Sequence, residues 1–387
     1  MSLASALAGA SLAAIAWIII GYPLWLALRA ARRPVVPRRL PPDDVLPTVT
    51  AVIPVHNGGR FLAAKLESIL AANYPASRLD VLVLSDGSTD ETDEVAASFV
   101  ARGRVRFVRL EKSGKAVALS TAFPMVTSAV VLLTDARQQL DPDCIRWLVG
   151  ALADPAVGAV SGTLKIRSGL TAGEAGTGLY WRYESWIRRN LSRIDSVLGA
   201  TGPIYAIRRP LARALPRGCI LDDMWLPMQV VQAGHRAVLS EDAVAWDYPT
   251  SLDSEFNRKV RTQAGLYQLM RLDPRLVNPF ANRLWWPFVT LKVGRLLLGH
   301  LLIVLAVATP FVVAPWALAL GGAQLLFYGV FVLGRVLPEG SPLKRLTSPV
   351  VAFVTLVAAA FMAQSIFFRD PATLWKPTQV RLTDSPS

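Results

Sequence analysis

The chain contains few cysteines and histidines, and it lacks internal repeats. Cys144 and Cys219 are its only cysteines, which excludes a disulfide framework and indicates a reducing compartment. The three histidines lie far apart in the sequence and have none of the spacings typical of a metal site: His56, His235 and His300. No repeat and no low-complexity tract occurs, so a repeat architecture is excluded.

Acidic residues are outnumbered, with 28 Asp and Glu against 41 Lys and Arg, which gives a formal net charge of +13. Nucleic-acid binding is one interpretation of this balance. The placement of the charges argues against it, because five arginines closely follow the first apolar run: Arg29, Arg32, Arg33, Arg38 and Arg39. Cytoplasmic loops collect such residues beside a transmembrane helix, and the cluster also attracts anionic lipid headgroups. We therefore predict a lipid bilayer as a partner, and no nucleic acid.

Two apolar regions flank the centre of the chain. Residues 3–28 form an uncharged run of transmembrane length. A cleaved signal peptide is disfavoured, because the run is too long and no basic segment precedes it. In the second region, Trp285 and Trp286 predict an interfacial helix, and the apolar stretches after it predict three spans, the first of which borrows residues from the interfacial stretch. The predicted segments are a transmembrane helix (1–30), a basic, Pro-rich linker (31–47), a globular domain (48–283), an interfacial helix (284–298), transmembrane helices (299–369) and a tail (370–387).

The globular domain alternates short apolar runs with segments of helical periodicity. Four strands are predicted, in "TVTAVIPV", "LDVLVLSD", "VRFVRLE" and "AVVLLTDA", with a helix between each pair. This alternation is typical of an α/β fold with a Rossmann-like, mostly parallel sheet. Ligands of such sheets bind outside the carboxyl ends of the strands, so the functional residues are expected there.

Polar side chains follow the predicted strands at these ends. Asp86 ends the second strand, Lys115 opens the helix after the third, and Asp135 follows the fourth. A carboxylate can bond a base or ribose or hold a divalent ion, and a lysine at a helix N-terminus can meet a diphosphate. Asp90 alone is better explained as a turn or helix-cap residue. Together the other three predict a nucleotide-binding edge.

Six motifs carry a resemblance to a known family. They are "VIPVHN", "VLVLSDGSTDET", "SGKAVALSTA", "LLTDARQQLDPD", "ATGPIYAIRR" and "ILDDMWLPMQVVQAGHRA". Their order and spacing over residues 48 to about 270 resemble the family 2 glycosyltransferases with the GT-A fold. With the flanking apolar helices, the chain is similar to the membrane-integrated branch that includes cellulose, hyaluronan and poly-N-acetylglucosamine synthases.

The resemblance implies a role for each matching residue. Asp86 matches the acid that recognises the base of a nucleotide-sugar donor, and Lys115 the lysine near the donor phosphates. Asp135 matches the first acid of the Asp-X-Asp metal motif. Gly202 matches the glycine of the acceptor-side segment, and Asp223 the acid that closes a Glu-Asp pair and acts as general base.

The chemistry of glycosyl transfer agrees with the assignment of Asp223. A hydroxyl must lose its proton as it attacks the anomeric carbon, and a carboxylate within hydrogen-bond reach accepts it. In-line attack with one base inverts the anomeric centre. Repulsion between adjacent Asp222 and Asp223 would raise one pKa, which suits a base. The alternative is that both residues cap the following helix, and for Asp222 we predict this capping role.

One departure from the family pattern concerns the metal motif. The pattern would place a second acid at position 137, where this chain has Arg137. Mg²⁺ or Mn²⁺ can still be held by one carboxylate with substrate phosphates and waters. We therefore expect Asp135 to bind a divalent cofactor weakly, and Arg137 either to contact a donor phosphate or to pair with a neighbouring acid.

A second departure concerns the acceptor. Processive synthases carry Gln-X-X-Arg-Trp on an interfacial helix, and the corresponding stretch here is "RKVRTQAG", with Arg258 and Thr262 at the glutamine and tryptophan positions. Arg261 keeps the arginine that can neutralise a donor diphosphate. Trp181 is a candidate for stacking on the acceptor sugar instead.

Three functional hypotheses follow. The leading one is an inverting hexosyltransferase of the bacterial inner membrane that moves a sugar, from a UDP-sugar by preference, to a growing exopolysaccharide or cell-surface glycan. The second is a non-processive transferase that adds one sugar to a lipid or lipid-linked acceptor. The third, prompted by Arg137, is a pseudoenzyme that binds glycan or nucleotide. The leading hypothesis also allows partner subunits for polysaccharide export or assembly.

The charge distribution sets an expected topology. A cytosolic donor requires a cytosolic globular domain, and the arginines after the first span agree with this. Three later spans would place the tail outside with Lys376 and Arg381, which fits the positive-inside rule poorly. Either the last apolar segment does not cross fully or the number of spans differs by one.

Overall fold

The computed structural model describes residues 2–33, 40–167, 174–248, 252–338 and 341–368. Two compact units divide this part of the chain. The helical unit comprises the described parts of Met1–Arg32, Ser168–Asn190 and Thr250–Gln379, and the sheet unit those of Arg33–Arg167 and Leu191–Pro249. The expected continuous domain 48–283 is therefore divided, because residues 174–190 and 252–283 belong to the helical unit. The predicted tail 370–387, with Lys376 and Arg381, lies outside the described residues.

The sheet unit is built on one eight-stranded sheet. Its strands are β1 (Val49–Val55), β2 (Leu79–Asp86), β3 (Val105–Leu110), β4 (Val130–Leu133), β5 (Gln139–Leu140), β6 (Val157–Ile166), β7 (Tyr205–Arg208) and β8 (Arg236–Asp247). They lie in the order β3-β2-β1-β4-β7-β6-β8-β5. Strands β1 to β4 are parallel, as predicted, whereas β7 runs antiparallel to both β4 and β6. The carboxyl ends of β1–β4, β6 and β8 therefore share one edge of a mixed sheet.

The helices of the described residues form where apolar residues recur at helical spacing. They are α1 (Leu3–Ala16), α2 (Tyr22–Ala31), α3 (Gly59–Leu70), α4 (Thr92–Val100), α5 (Lys115–Met125), α6 (Cys144–Ala151), α7 (Glu174–Ile194), α8 (Asp222–Gln232), α9 (Leu252–Leu272), α10 (Trp285–Phe288), α11 (Gly294–Ala308), α12 (Trp316–Val336) and α13 (Pro342–Ala363). In α3, Leu62, Leu66 and Ile69 recur at helical spacing and are fully buried. They join the strand side chains in one core, which keeps the sheet edge in place.

The helical unit contains four helical segments that are long and apolar enough to cross a membrane: Leu3–Ala31, Trp285–Phe311, Trp316–Val336 and Leu346–Phe367. The expected number of one span before and three after the globular part agrees with this count. Residues 285–311 form one continuous helical segment, whose first part contains the predicted interfacial helix 284–298, and the interfacial position of that part stays a prediction. As predicted, the first of the three later segments includes residues of the stretch that carries Trp285 and Trp286.

Polar side chains link the helices of this unit. The guanidinium of Arg295 pairs with the carboxylate of Glu184. The hydroxyl of Tyr183 donates to the carbonyl of Ile19 at 2.6 Å. The Nε2 atom of His300 lies 3.1 Å from Nε2 of Gln364. These contacts join α7 to α11 and to the turn between α1 and α2, and they join α11 to the residue that follows α13.

Candidate functional site

The shared carboxyl edge of the sheet gathers the polar residues that the sequence predicts there. Asp86 is the last residue of β2, Lys115 the first of α5, and Asp135 follows β4 by two residues. Asp222 and Asp223 open α8, which packs against β6 and β8. Side-chain contacts connect most of this set, and they are described in turn below.

Asp86 fixes the loop that precedes α5. Its Oδ1 accepts from the backbone N–H of Ser113 at 2.7 Å, and its Oδ2 accepts from that of Gly114 at 2.9 Å. Gly114 has a φ of +91°, which a residue with a side chain rarely adopts, so glycine allows this turn. The carboxylate thereby holds the residue next to Lys115, and its predicted contact with a nucleotide base stays a prediction.

Lys115 joins two carboxylates from different segments. Its Nζ lies 2.9 Å from Oδ1 of Asp135 and 3.2 Å from Oδ1 of Asp222. Burial alone would lower the pKa of Lys115, but the two carboxylates raise it well above its usual range. Burial would likewise raise the pKa of Asp135, and the ammonium instead holds it below its usual range. Lys115 is therefore a permanent cation, and Asp135 a carboxylate.

Asp222 has a different role from the one expected. Its side chain does not cap α8, and the preceding residue, Leu221, makes no side-chain cap either. Instead, Asp222 Oδ2 accepts a hydrogen bond of 2.9 Å from the hydroxyl of Tyr205, and its Oδ1 pairs with Lys115. Burial raises the pKa of Tyr205 well above its usual range, so this phenol stays a donor. The capping prediction is wrong because Lys115 and the buried phenol of Tyr205 each bind one oxygen of this carboxylate.

Asp223 lies beside Gly202, a residue distant in sequence. A Cβ added at Gly202 would lie 2.9 Å from Asp223 Oδ2. The backbone N–H of Ala200 also donates to the carbonyl of Asp223, at 2.6 Å. The glycine thus leaves room for the carboxylate, and the segment before it fixes the backbone of Asp223. The structure brings together the predicted base and the predicted acceptor-side glycine.

Arg137 pairs with an acid, the second of the two expected alternatives. Its Nε lies 2.8 Å from Asp247 Oδ1, and its Nη2 lies 2.7 Å from Oδ2. The same Oδ2 accepts from Nε2 of Gln138 at 2.9 Å. The side chain of Asp247 is only 4% exposed. The guanidinium is therefore held by the end of β8, and its predicted contact with a donor phosphate stays a prediction.

Lys65 was not predicted from the sequence, although a signal was present. It stands at i+3 from Leu62 on the apolar face of α3, where a cation is out of place. It is fully buried, and its Nζ donates to Thr134 Oγ1 and to the carbonyl of Gln138, both at 2.6 Å. Burial lowers the pKa of Lys65 to about 7. Its two partners enclose Asp135 in the sequence, so Lys65 supports the loop that carries this acid.

The remaining predicted residues have local or separate positions. Asp90 Oδ2 accepts from the backbone N–H of Gly59 and Oδ1 from that of Thr92, both at 3.1 Å, which agrees with the expected turn role. Arg261 lies on α9 and Trp181 on α7, both in the helical unit. Trp181 is 37% exposed. The assignments of Arg261 to the donor and Trp181 to the acceptor stay predictions.

Asp135 is the candidate protein ligand for a divalent ion. Among the described residues, no group of three His, Cys, Asp or Glu side chains could hold a metal ion. Asp135 Oδ1 is bound by Lys115, whereas Oδ2 accepts no hydrogen bond from the described part of the chain, and the side chain is 36% exposed. The donors thus fit an ion that is held by one carboxylate oxygen together with phosphates and waters, which magnesium accepts.

The fold and the site together describe an α/β domain with acids and a lysine at the carboxyl ends of its parallel strands. Residues 50–215 match the family model described as glycosyl transferase family 2. The chain therefore contains a family 2 glycosyltransferase domain of the GT-A fold, in agreement with the resemblance of its motifs.

Individual proteins are also similar to the chain. An N-acetylglucosaminyltransferase of Rhizobium sp. (strain N33) is 30% identical over 283 residues, which is 68% of this chain and 62% of that protein. A poly-beta-1,6-N-acetyl-D-glucosamine synthase of Staphylococcus aureus (strain COL) is 23% identical over 237 residues, which is 59% of this chain and 57% of that protein. The chain thus spans about 60% of the length of these two curated relatives.

A solved structure is similar over almost the whole chain. The mannosyltransferase PcManGT from Pyrobaculum calidifontis, in complex with GDP-Man and Mn²⁺, superposes with a TM-score of 0.68 at 23% identity. The match covers 92% of this chain and 99% of that one. At this identity the likeness shows a shared fold.

Proposed function

We propose that this protein is an inverting membrane glycosyltransferase, which moves a sugar from a nucleotide-sugar, by preference a UDP-sugar, to a growing exopolysaccharide or cell-surface glycan. One observation carries the proposal: the sheet edge joins Lys115, Asp135 and Asp222 in one ion-paired cluster, and Asp223 follows Asp222 at the start of α8. Such a cluster offers both a cation for a leaving diphosphate and a carboxylate for an attacking hydroxyl. The relatives named above for N-acetylglucosamine transfer and polymer synthesis support the glycan product.

The proposed reaction proceeds in one displacement. The Asp223 carboxylate takes the proton of the acceptor hydroxyl while the oxygen of that hydroxyl forms a bond to the anomeric carbon. The bond from that carbon to the donor phosphate breaks, and the nucleoside diphosphate leaves with the electron pair. Lys115 stabilises the negative charge that develops on the leaving group. Attack and departure on opposite faces invert the anomeric centre.

Asp135 would hold the divalent ion through Oδ2, the carboxylate oxygen that does not contact Lys115. When bound, Mg²⁺ or Mn²⁺ supplies further charge neutralisation at the diphosphate. Asp222 is proposed to orient Lys115, because Tyr205 donates to one of its oxygens and leaves the other for the ammonium. Asp86 is proposed to contact the donor base, and Arg261, on α9, the diphosphate.

The proposed location is the inner membrane, with the sheet unit in the cytosol. Four apolar helical segments in the described residues support membrane integration. Arg29, in the last turn of the first segment, and Arg32, directly after it, support a cytosolic location for the residues that follow. Trp181, on α7, is proposed to stack on the acceptor sugar, and subunits for polysaccharide export or assembly are proposed partners.

Membranes that contain the full chain would test the proposal. They are offered radiolabelled nucleotide sugars, including UDP-N-acetylglucosamine and GDP-mannose, and products are separated by thin-layer chromatography and mass analysis. We expect Asp223→Asn to lower turnover about 100-fold or more, because general-base catalysis typically contributes that much. Asp80→Asn, at an exposed position on β2, is the matched control and keeps activity. A wild-type protein that binds nucleotide without any turnover would instead support the pseudoenzyme.

A second candidate function is the addition of a single sugar to a lipid or lipid-linked acceptor. The observation that favours it is the sequence around Arg261, where Arg258 and Thr262 replace the glutamine and tryptophan of processive synthases. Product length distinguishes the two functions. A ladder or smear of long glycan on a gel supports polymer synthesis, and one mass increment of a single sugar on an extractable lipid supports the alternative.

A further inference from the structure

Arg137 and Asp247 form a nearly buried ion pair at the functional edge of the sheet. Two parallel contacts of 2.8 and 2.7 Å join the guanidinium to the carboxylate, and the side chains are 19% and 4% exposed. Such bidentate pairs are the strongest and most directional contacts that an arginine makes. The two residues are 110 positions apart in the sequence. The pair therefore fixes a specific approach of two distant segments.

The pair closes a framework around one short loop, Thr134–Gln138, which carries Asp135. Lys65 Nζ donates to the Thr134 hydroxyl and to the Gln138 carbonyl, and these two residues are the ends of the loop. Asp247 accepts from both Arg137 and Gln138. The loop is thus held at both ends and at its fourth residue, Arg137.

Asp247 itself is held rigidly. It is the last residue of β8, and its Oδ1 also accepts from the backbone N–H of Tyr248 at 2.8 Å. Its carbonyl accepts from the N–H of Arg167 at 2.9 Å, directly after β6. Contacts at the ends of β6 and β8 therefore fix the position of the carboxylate that binds the guanidinium. This carboxylate orients the side chain of Arg137, while Asp135 keeps its own contact with Lys115.

We propose that Arg137 and Asp247 are positioning residues of the glycosyl transfer: their ion pair holds the Thr134–Gln138 loop so that the Asp135 carboxylate stays aligned with Lys115. The inference rests on the proposed function and extends it, because it explains why a cation occupies the second position of an acidic motif. In this chain that position serves to anchor the loop, and Asp135 alone is left to meet the diphosphate and its ion. Asp247, 110 residues further along the sequence, is the partner that anchors Arg137.

Four variants of the full-length protein in membranes or detergent test the proposal: Arg137→Gln, Asp247→Asn, the double variant and Arg137→Lys. We expect each neutral single variant to lower kcat/KM for the donor about 10- to 100-fold, as the loss of a partner that orients a ligand residue typically does. The double variant should lose much less than the product of the two single losses, since both remove the same contact. Arg137→Lys should recover part of the activity, because it keeps the charge and loses the bidentate geometry.

A structural control separates positioning from general stability. Arg146→Gln removes an arginine of similar burial, 10% exposed, that binds Asp43 and two carbonyls within the same unit. We expect it to lower thermal stability and to leave the donor KM and the pH profile unchanged. Hydrogen exchange gives a readout without activity: amide exchange at residues 134–138 should rise in Arg137→Gln and Asp247→Asn and stay at the wild-type rate in Arg146→Gln.

The outcomes separate this inference from the proposed function. Unchanged exchange at residues 134–138 in both single variants would overturn the inference, whatever the activity. A loss of activity in Arg137→Gln together with wild-type activity in Asp247→Asn would also overturn it, since Arg137 would then act as a direct phosphate ligand. Selective loosening of the loop in a protein that transfers no sugar from any donor would refute the proposed function and support the anchoring of the loop.

Discussion

Lys115 places its ammonium 2.9 Å from the only acid of the metal motif, Asp135. The contact pairs a permanent cation with the carboxylate that is proposed to face the donor phosphates. Each partner shifts the pKa of the other toward its charged form. The charge state of this pair is therefore constant through the physiological range of pH, and activity should not titrate with either residue near neutrality.

The first prediction concerns Lys115. Its replacement by methionine should lower kcat about 100- to 1,000-fold, since the loss of one group that stabilises developing charge typically has this effect. Lys115→Arg should retain more activity than Lys115→Met because it keeps the charge. Steady-state kinetics on membranes measures both variants. Equal activity of Lys115→Met and the wild type would contradict a role for the ammonium in the leaving of the diphosphate.

The second prediction concerns Gly202. A Cβ at this position would lie 2.9 Å from Asp223 Oδ2, a distance that real Cβ atoms do not show, so the carboxylate must move. We expect Gly202→Ala to lower kcat about 100-fold, since small misplacements of a catalytic group have effects of this size.

The matched control for Gly202 is Gly322→Ala on α12, where a Cβ meets nothing within 4 Å. This control should keep wild-type kinetics. A nucleotide-binding measurement on Gly202→Ala should give near wild-type affinity, because the glycine is proposed to serve the base and the acceptor. Normal turnover in Gly202→Ala would place the base elsewhere.

The third prediction concerns the divalent cofactor. A site with one protein carboxylate binds an ion weakly, so excess chelator should abolish transfer and restoration should need divalent ion on the order of millimolar. Asp135→Asn should weaken the response to the ion further, whereas Asp80→Asn should leave it unchanged. Activity is titrated against Mg²⁺ and Mn²⁺ in chelator-treated membranes. Full activity in excess chelator would refute this cofactor assignment.

The fourth prediction concerns the pH dependence of stability. Burial lowers the pKa of Lys65 to about 7 in the folded protein, whereas an exposed lysine titrates near 10.4. Between these values the unfolded chain binds more protons, so Lys65 makes the folded state more stable as pH rises, by up to about 1.4 kcal/mol per pH unit. Below about pH 7 both states are protonated, and the contribution is constant at its least favourable value.

The comparison of the wild type with Lys65→Met isolates this contribution. The stability difference, wild type minus Lys65→Met, should increase between pH 7 and 10 in thermal denaturation of the detergent-solubilised protein. Other titrating groups are common to both proteins and cancel in the difference. A difference that stays flat across this range would show that Lys65 titrates at its ordinary value.

Much of the fold could be predicted from the sequence because its signals are local. Apolar runs of strand length gave β1 to β4 in their places, and the residues that follow them were recognised as the functional edge. The predicted boundary between an interfacial helix and a span at residue 298 does not coincide with a break in the backbone, which is helical over residues 285–311, and the interfacial position of Trp285 and Trp286 stays a prediction. Residues of the candidate site that depend on distant partners were harder to find.

Asp222 illustrates the difficulty. A carboxylate at a helix start suggests a cap, and only the packing of β7 and α5 near α8 brings Tyr205 and Lys115 to the same carboxylate. Lys65 could have been singled out as a cation on an apolar helix face, yet its partners, Thr134 and Gln138, could not. Contacts of this kind span 69 and 73 residues and follow from sheet order.

The sequence by itself determined the α/β alternation, the apolar helices and the types of residue at the strand ends, because each depends on neighbours within a few positions. The tertiary structure decided that Arg137 belongs to Asp247 and that Lys115 joins Asp135 to Asp222. These pairings depend on the insertion of antiparallel β7 between β4 and β6, which sets how the end of β8 lies relative to the loop after β4. Ion pairs across a sheet are chosen by the order of its strands, and that order is a property of the whole packed core.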